Sequence, residues 1–230
     1  MSKIALIPAR GGSKGLLNKN LQKIGEESLV ERIINKAFDS GIFNEIVLSS
    51  DSDEILKIGD KKNVLALRRP DSFSHDHSQA KDVVQHYLDS LEFIPSDETI
   101  ITYLQPSSPF TSIETIRAIN GEFNITKKPT VSVCQSADPV TKLLYLRPDF
   151  SLTSLLPEGN PTQNRQDSIV AYRASGGCYV FSVGDFRISG DIPVLGANGF
   201  LVSDLEGFDI DTKLDLEIAR FIEGNLSNEF

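Results

Sequence analysis

The feature that most constrains this chain is an alternation, sustained over its first 134 residues, of short apolar runs with capped amphipathic stretches. Residues 4–8 (IALIP), 46–48, 64–67, 99–104 and 130–134 are strand-sized and apolar, as buried strands are. Helices are expected between them. Ser28-Leu29-Val30-Glu31 has the spacing of a capping box, and Gly41 stands where a glycine ends a helix. Ser49-Ser50-Asp51 precedes a short helix to about Lys61, and Ser78 caps one to about Phe93. Thr111-Ser112-Ile113-Glu114 is a second capping box, opening a helix to about Phe123. Strands separated by helices imply right-handed crossovers and a mostly parallel sheet, so the fold class is α/β. Such sheets bind ligands at the carboxyl ends of their strands, which places residues 10–20, 49–51 and 105–110 along one edge.

From about residue 135 to 174 the pattern fails. The segment is punctuated by proline and asparagine, carries short hairpin-like runs such as 142–146, and is too long for a simple connection. It reads as an excursion, either a lid or a dimer arm. Residues 177–181 return to the sheet, 200–203 form a further strand, and Asp209-Ile210-Asp211 leads into a last helix capped by Thr212 or Asp211. The 230 residues, 40% of them hydrophobic, fit a single domain carrying that excursion.

Several classes are excluded. No stretch approaches the ~20 apolar residues of a membrane helix. The chain enters a strand at once, without the apolar region of a signal peptide, so a cytoplasmic location is expected. Acids outnumber bases 32 to 23, a net charge of −9, which argues against nucleic acid as a partner. Cys134 and Cys178 match no CxxC or zinc spacing and are expected reduced and buried. The charge is unevenly spread: residues 1–25 hold five bases and no acid, whereas from Leu201 onward there are eight acids and two bases.

Four constellations carry chemistry. Arg10-Gly11-Gly12-Ser13-Lys14-Gly15, continuing to Lys19-Asn20, follows a strand and matches neither GxxxxGK[ST] nor GxGxxG. Its glycines and three cations suit a phosphate, against the alternative of a neutral basic loop. Asp209-Ile210-Asp211 sets two carboxylates on one side of an extended segment, with Ile210 inward. The pair suits Mg²⁺, which takes one or two carboxylates plus substrate phosphates; the alternative is a solvated turn with Asp211 as a cap. Gln105-Pro106-Ser107-Ser108-Pro109-Phe110 is a rigid polar loop fit for sugar or base recognition, or a plain turn. Asn164-Arg165-Gln166-Asp167, with Arg173 and Lys142, could grip an acidic substrate or be surface charge. His75-Asp76-His77 lacks a third metal ligand and reads as solvated, while His86 lies on the following helix in a structural role.

These motifs together resemble the CMP–sialic acid synthetases (acylneuraminate cytidylyltransferases). The resemblance rests on residues 7–15 (IPARGGSKG), Lys19-Asn20, Arg69-Pro70, residues 104–109 (LQPSSP), Arg165-Gln166-Asp167, and residues 209–212 (DIDT) with Asp215-Leu216, in order along nearly the whole chain. It implies a Rossmann-like nucleotidyltransferase fold and a homodimer whose excursion completes the partner's sugar site. It implies attack of the C2 hydroxyl of an N-acylneuraminate on the α-phosphorus of CTP, with one or two Mg²⁺ ions and release of pyrophosphate. By the same resemblance Arg10, Gly12, Ser13, Lys14 and Lys19 hold CTP phosphates, while Asn20, Arg69 and the backbone near Ser78 read cytosine. Gln105, Ser107, Ser108 and Lys142 contact the sugar, joined by Arg165 and Arg173 of the excursion. Asp209 and Asp211 hold the metal, with Arg10, Lys14 and Asp211 as the catalytic set. Bacterial capsule or lipopolysaccharide decoration is the matching pathway.

The chain departs from the family pattern at Leu17, Ser175-Gly176 and Thr111, expected at the rim of the sugar pocket. The alternatives are the same reaction on a legionaminate, pseudaminate, deaminated neuraminate or octulosonate, or a non-catalytic nucleotide-binding module. Gly15, where the pseudaminate type tends to carry arginine, weighs against pseudaminate, and the aspartate pair weighs against the module. A nicotinamide dehydrogenase is disfavoured by the missing GxGxxG.

Overall fold

The computed structural model describes residues 1–13, 15–70, 73, 78–157 and 159–226, with the Arg165 and Leu226 side chains outside that description. Strand β1 (Lys3–Pro8) is followed by a loop and a small ribbon, β2 (Lys23–Ile24) and β3 (Glu27–Ser28), then helix α1 (Leu29–Ser40). Next come β4 (Glu45–Ser50), α2 (Asp53–Lys61), β5 (Leu65–Arg68), α3 (Ala80–Asp89), β6 (Ile100–Leu104), α4 (Ile113–Thr126) and β7 (Thr130–Gln135). A hairpin, β8 (Leu144–Leu146) and β9 (Leu152–Ser154), occupies the excursion. The chain returns as β10 (Tyr172–Ser182), α5 (Val183–Ser189), β11 (Asn198–Leu201) and α6 (Lys213–Leu226).

Seven strands form one sheet in the order β11-β7-β10-β6-β1-β4-β5. Only β10 runs antiparallel to its neighbours, β6 and β7, so the sheet is mostly parallel as expected. The chain winds from β1 to β4 to β5 and then crosses to the other side of β1 to lay down β6. Where the winding reverses, the loops leaving β1 and β6 part, which opens a crevice at the strand ends.

Strand β1 shows why both faces are covered. Ile4 and Leu6 point into a cluster with Val83, Tyr87, Ile101 and Phe181, and Ala5 and Ile7 into one with Val30, Ile34, Ile116 and Phe123. A third cluster, Ile24, Leu29, Phe110, Ile210, Leu216 and Ala219, ties the C-terminal segment to the loop edge of the sheet. Cys134 and Cys178 are buried and free, as anticipated.

Several boundaries differ from expectation. Helix α3 is capped by Gln79, whose N–H donates to Asp82 Oδ2 at 2.7 Å, and it ends at Asp89. Helix α4 is capped by Ser112, not Thr111, and runs to Thr126. Its Ser112 hydroxyl accepts from Thr115 N–H, and the acid that completes the cap is Glu206, 94 residues away, rather than Glu114. Helix α5 was not foreseen, although Ser182 and Asp185 form a capping box. Of the two candidates at α6, Thr212 is the cap, exchanging bonds with Asp215.

The excursion leaves after β7 and keeps its apolar side chains in solvent. Tyr145, Leu146, Leu152 and Val170 are exposed, and Phe150 and Ile169 are 81% and 67% accessible.

Candidate active site

The loops that leave β1 and β5 are both anchored on β4. Ala9 N–H donates to the Ser49 carbonyl at 2.9 Å and Arg69 N–H to the Ser50 carbonyl at 2.8 Å. Asp51, just beyond β4, accepts from Gly11 N–H at 2.7 Å and fixes where the basic loop departs. The loop closes with Asn18 in the left-handed region (φ 51°) and a 3-10 turn over Lys19–Leu21. The buried Asn20 amide donates to the Arg10 carbonyl at 2.9 Å, tying the two ends of the loop together.

This scaffold walls a cavity of about 260 Å³ at the reversal of the winding. Arg10, Lys19, Asn20, Arg69, Ser78, Gln105 and Ser107 line it, with Phe73 and Tyr103 as its aromatic wall. Seven side chains singled out from the sequence therefore share one crevice. Arg69 is only 5% accessible, and its Nε and one Nη are buried without a hydrogen-bond partner among the described residues. An unpaired guanidinium edge on a cavity wall is a costly arrangement that a ligand acceptor would relieve.

The acidic segment does not line the cavity but contacts two residues that do, Ser107 and Lys19. Ile210 is fully buried, and its N–H donates to the Ser107 carbonyl at 2.9 Å. On one side of it, Asp209 Oδ1 accepts from Ser108 Oγ at 3.4 Å. On the other, Asp211 Oδ1 pairs with Lys19 Nζ at 3.0 Å. The basic loop and the aspartate pair therefore touch directly. Gly15 makes the approach possible, because a Cβ there would sit 2.5 Å from the Asp211 carbonyl oxygen. Burial raises the Asp209 pKa and the Asp211 charge adds to the effect, against hydrogen bonds from Ser107 and Ser108 and the charge of Lys19.

Among the described residues no three His, Cys, Asp or Glu side chains gather to hold a metal alone. Two carboxylates, one of them half-buried and repelled by the other, fit a hard cation that draws its remaining ligands from phosphate oxygens and water.

Gln105 lines both this cavity and an adjoining one shared with Tyr103 and Tyr179. Gly176 (φ +85°) passes close behind it, where a Cβ would lie 2.9 Å from Gln105 Oε1. Ser108 is 1% accessible and engaged with Asp209 and the Ser175 carbonyl, so it lies behind the carboxylate instead of on the cavity wall. Gly12 and Ser13 belong to the loop but do not line the cavity, and Lys14 lies outside the described residues. Lys142 is exposed in the excursion, away from the cavity. Arg173 donates to the Gly207 carbonyl at 2.7 Å. Within one chain neither of these two cations lines the cavity. Arg165 falls in a 3-10 turn, its side chain outside the described set.

The expected pocket-rim positions require correction. Leu17 is exposed, but Thr111 and Ser175 are 2% and 1% accessible and pack beneath the loop. His75, Asp76 and His77 lie outside the described residues. His86 packs on Phe73 at 5.6 Å between ring centres, and burial, then the charge of Arg69, lowers its pKa. Sequence reasoning did not single out the wall residues Tyr103 and Phe73, nor Lys36 and Glu206, which brace the site's loops. Asp51 was placed on the edge, but its bond to Gly11 has no signature in the sequence.

The Cytidylyltransferase family model matches residues 4–147, more than half of the chain. N-acylneuraminate cytidylyltransferase of Escherichia coli O18:K1:H7 is 28% identical over 222 residues, covering 96% of this chain and 52% of that protein, so the chain spans about half the length of this relative. CMP-N,N'-diacetyllegionaminic acid synthase of Campylobacter jejuni serotype O:2 is 30% identical over 226 residues, covering 95% of this chain and 94% of that one. The structure of a CMP:2-keto-3-deoxy-manno-octonic acid synthetase complexed with CTP matches with a TM-score of 0.70 over 100% of both chains at 13% identity, a likeness of fold. With its crevice at the reversal of a mostly parallel sheet, and with this match to the family model, the chain belongs to the cytidylyltransferase family of nucleotidyltransferases.

Proposed function

We propose that the protein joins CTP to a nonulosonic acid of the sialic acid type, giving the CMP-sugar and pyrophosphate. The observation that carries this reading is the 3.0 Å contact between Asp211 and Lys19, which lines the cavity. It joins the basic loop, suited to phosphates, to the carboxylate pair, suited to a hard cation, beside the crevice.

In the reaction the sugar's C2 hydroxyl oxygen bonds to the α-phosphorus and gives up its proton to solvent, the bond from phosphorus to the α,β-bridging oxygen breaks, and that oxygen leaves with its electron pair as part of pyrophosphate. Such transfers depend on positioning and charge neutralisation more than on covalent catalysis. Arg10, Lys14 and Lys19, with the backbone at Gly12 and Ser13, hold the phosphates and stabilise the departing pyrophosphate. Arg69 offers its unpaired guanidinium edge to the cytosine, beside Asn20 and Ser78. Gln105 and Ser107 face the sugar, and Ser108 steadies Asp209 from behind. Asp209 and Asp211 would hold one or two Mg²⁺ ions, which when bound supply charge neutralisation at the α-phosphate.

The protein acts as a cytoplasmic homodimer in this reading. Support comes from the exposed apolar side chains of the excursion and from Lys142 and Arg173, neither of which lines the cavity of its own chain. Lys142, Arg165 and Arg173 then serve the sugar site of a second copy. The same reaction on a legionaminate-type acid is a second reading, favoured by the 30% identity to the legionaminic acid synthase over nearly the full length of both proteins.

Pyrophosphate release with Mg²⁺ and a panel of nonulosonic acids tests both. CTP should support release at least about ten-fold faster than ATP or GTP, since buried polar groups that read one base are left unpaired by another. Equal release from the three nucleotides would refute base reading by Arg69 and Asn20, and release with no acid in the panel would refute the reaction.

A further inference from the structure

Three residues before Asp209, Glu206 reaches the start of α4. Its Oε1 accepts from Ser112 N–H at 3.0 Å, from the Ser112 hydroxyl at 2.7 Å and from the Thr115 hydroxyl at 2.7 Å. A carboxylate there meets three donors and the positive end of the helix dipole. Burial works against its ionised form, but the bonds from Thr115 and Ser112 prevail and hold its pKa below the usual value.

Lys36 of α1 grips the other side of the same turn, donating to the Pro109 carbonyl at 2.5 Å and the Thr111 carbonyl at 2.8 Å. Burial, then Arg32, pushes its pKa down to about 8, while the charges of Glu223, Glu27 and, least, Glu206 act the other way. Between the two, Phe110 packs edge-on against Phe208 at 6.0 Å, and Ile210 N–H donates to the Ser107 carbonyl. Arg173 braces the Glu206 turn from outside through the Gly207 carbonyl. Neither Glu206 nor Lys36 lines the cavity.

We propose that Glu206 is a positioning residue: by seating the 203–208 turn on the N-terminus of α4 it holds Asp209 against the Ser107–Ser108 turn, and so holds the carboxylate pair at the nucleotide crevice. Lys36 keeps the opposite side of that turn in place. The inference rests on the reading of Asp209 and Asp211 as the metal-holding pair.

The test compares Glu206→Ala and Glu206→Gln with the unaltered protein. Mn²⁺ binding in the presence of CTP, with no sugar acid, is read by electron paramagnetic resonance, beside kcat and the KM for CTP. Alanine should weaken Mn²⁺ binding and lower kcat by about ten-fold or more, the scale for groups that orient metal ligands. The KM for CTP should stay within about two-fold, because the cavity walls are untouched. Glutamine keeps an acceptor oxygen and should restore most of both. An alanine variant with unaltered Mn²⁺ binding, a raised CTP KM at unchanged kcat, or a glutamine variant as impaired as alanine overturns the inference. If alanine prevents folding, Glu206→Asp carries the test: its shorter reach should weaken Mn²⁺ binding at unchanged CTP KM, and unaltered binding overturns the idea. Failure of the unaltered protein to bind Mn²⁺ with CTP would instead refute the metal reading itself.

Discussion

Asp209→Asn is expected to lower turnover by about 10²–10³-fold, the scale for losing one preorganised electrostatic partner of a transition state, while raising the melting temperature of the ligand-free protein. The two effects share a cause. Asp209 is half-buried beside Asp211, and its pKa is raised by burial first and by the Asp211 charge second. A carboxyl whose folded pKa lies above its unfolded value favours the fold while protonated, and that contribution is lost as pH rises through the folded pKa. The ionised group is therefore the form the fold favours less, an effect that Ser107, Lys19 and Ser108 offset only in part. Asparagine retains the shape and removes the charge, for a gain of about 1 kcal/mol, typical of relieving a strained functional group. Thermal unfolding without ligand and steady-state kinetics at saturating Mg²⁺ give the two numbers. Near-normal kcat would remove Asp209 from the chemistry, and an unchanged or lower melting temperature would contradict the strain.

Arg69→Met should raise the KM for CTP about 10–100-fold, the equivalent of the ~1.5–3 kcal/mol of a hydrogen bond to a charged group. The fold should tolerate the change well. Arg69 is already buried, with two nitrogens unpaired among the described residues, so methionine removes a desolvated charge rather than a bonded one. Burial lowers the guanidinium's proton affinity. The variant should also discriminate less between CTP and the purine nucleotides. A CTP KM unchanged by the substitution would assign the cavity wall at Arg69 to some other purpose.

What the sequence made legible was local. Ser28 with Glu31, Gly41 at the end of α1, and the apolar strand runs announce themselves within a few residues, because caps and alternation are short-range physics. The loop edge followed from the rule that parallel sheets bind ligands at the carboxyl ends of their strands, and it put Arg10 and Gln105 together; Arg69 came only with the family resemblance. Contacts between distant segments left no such trace. Glu206 completes the cap of α4 from 94 residues away, so Thr111-Ser112-Ile113-Glu114 offered a false box one residue early. Asn20 lines the cavity as a base contact would, but the bond from its amide to the Arg10 carbonyl, set by the curl of the loop, has no trace in the sequence. Thr111 and Ser175 looked like pocket rim and are buried, because β10 runs antiparallel through the middle of the sheet and packs its Ser175 onto Ser132 at 2.6 Å. Lys142 and Arg173 joined the site through the family resemblance; within one chain Lys142 is exposed and Arg173 donates to the Gly207 carbonyl, and neither lines the cavity.

The central claim is that the basic loop after β1 and the aspartates before α6 enclose one metal-bound triphosphate. A crystal structure with CTP and Mn²⁺, using the anomalous signal of the metal, tests it most directly. The account predicts a manganese peak between the Asp209 and Asp211 carboxylates, phosphates beside Arg10 and Lys19, and the cytosine against Arg69. A nucleotide bound in the crevice with its metal remote from both aspartates, or a nucleotide bound elsewhere on the sheet edge, would contradict it.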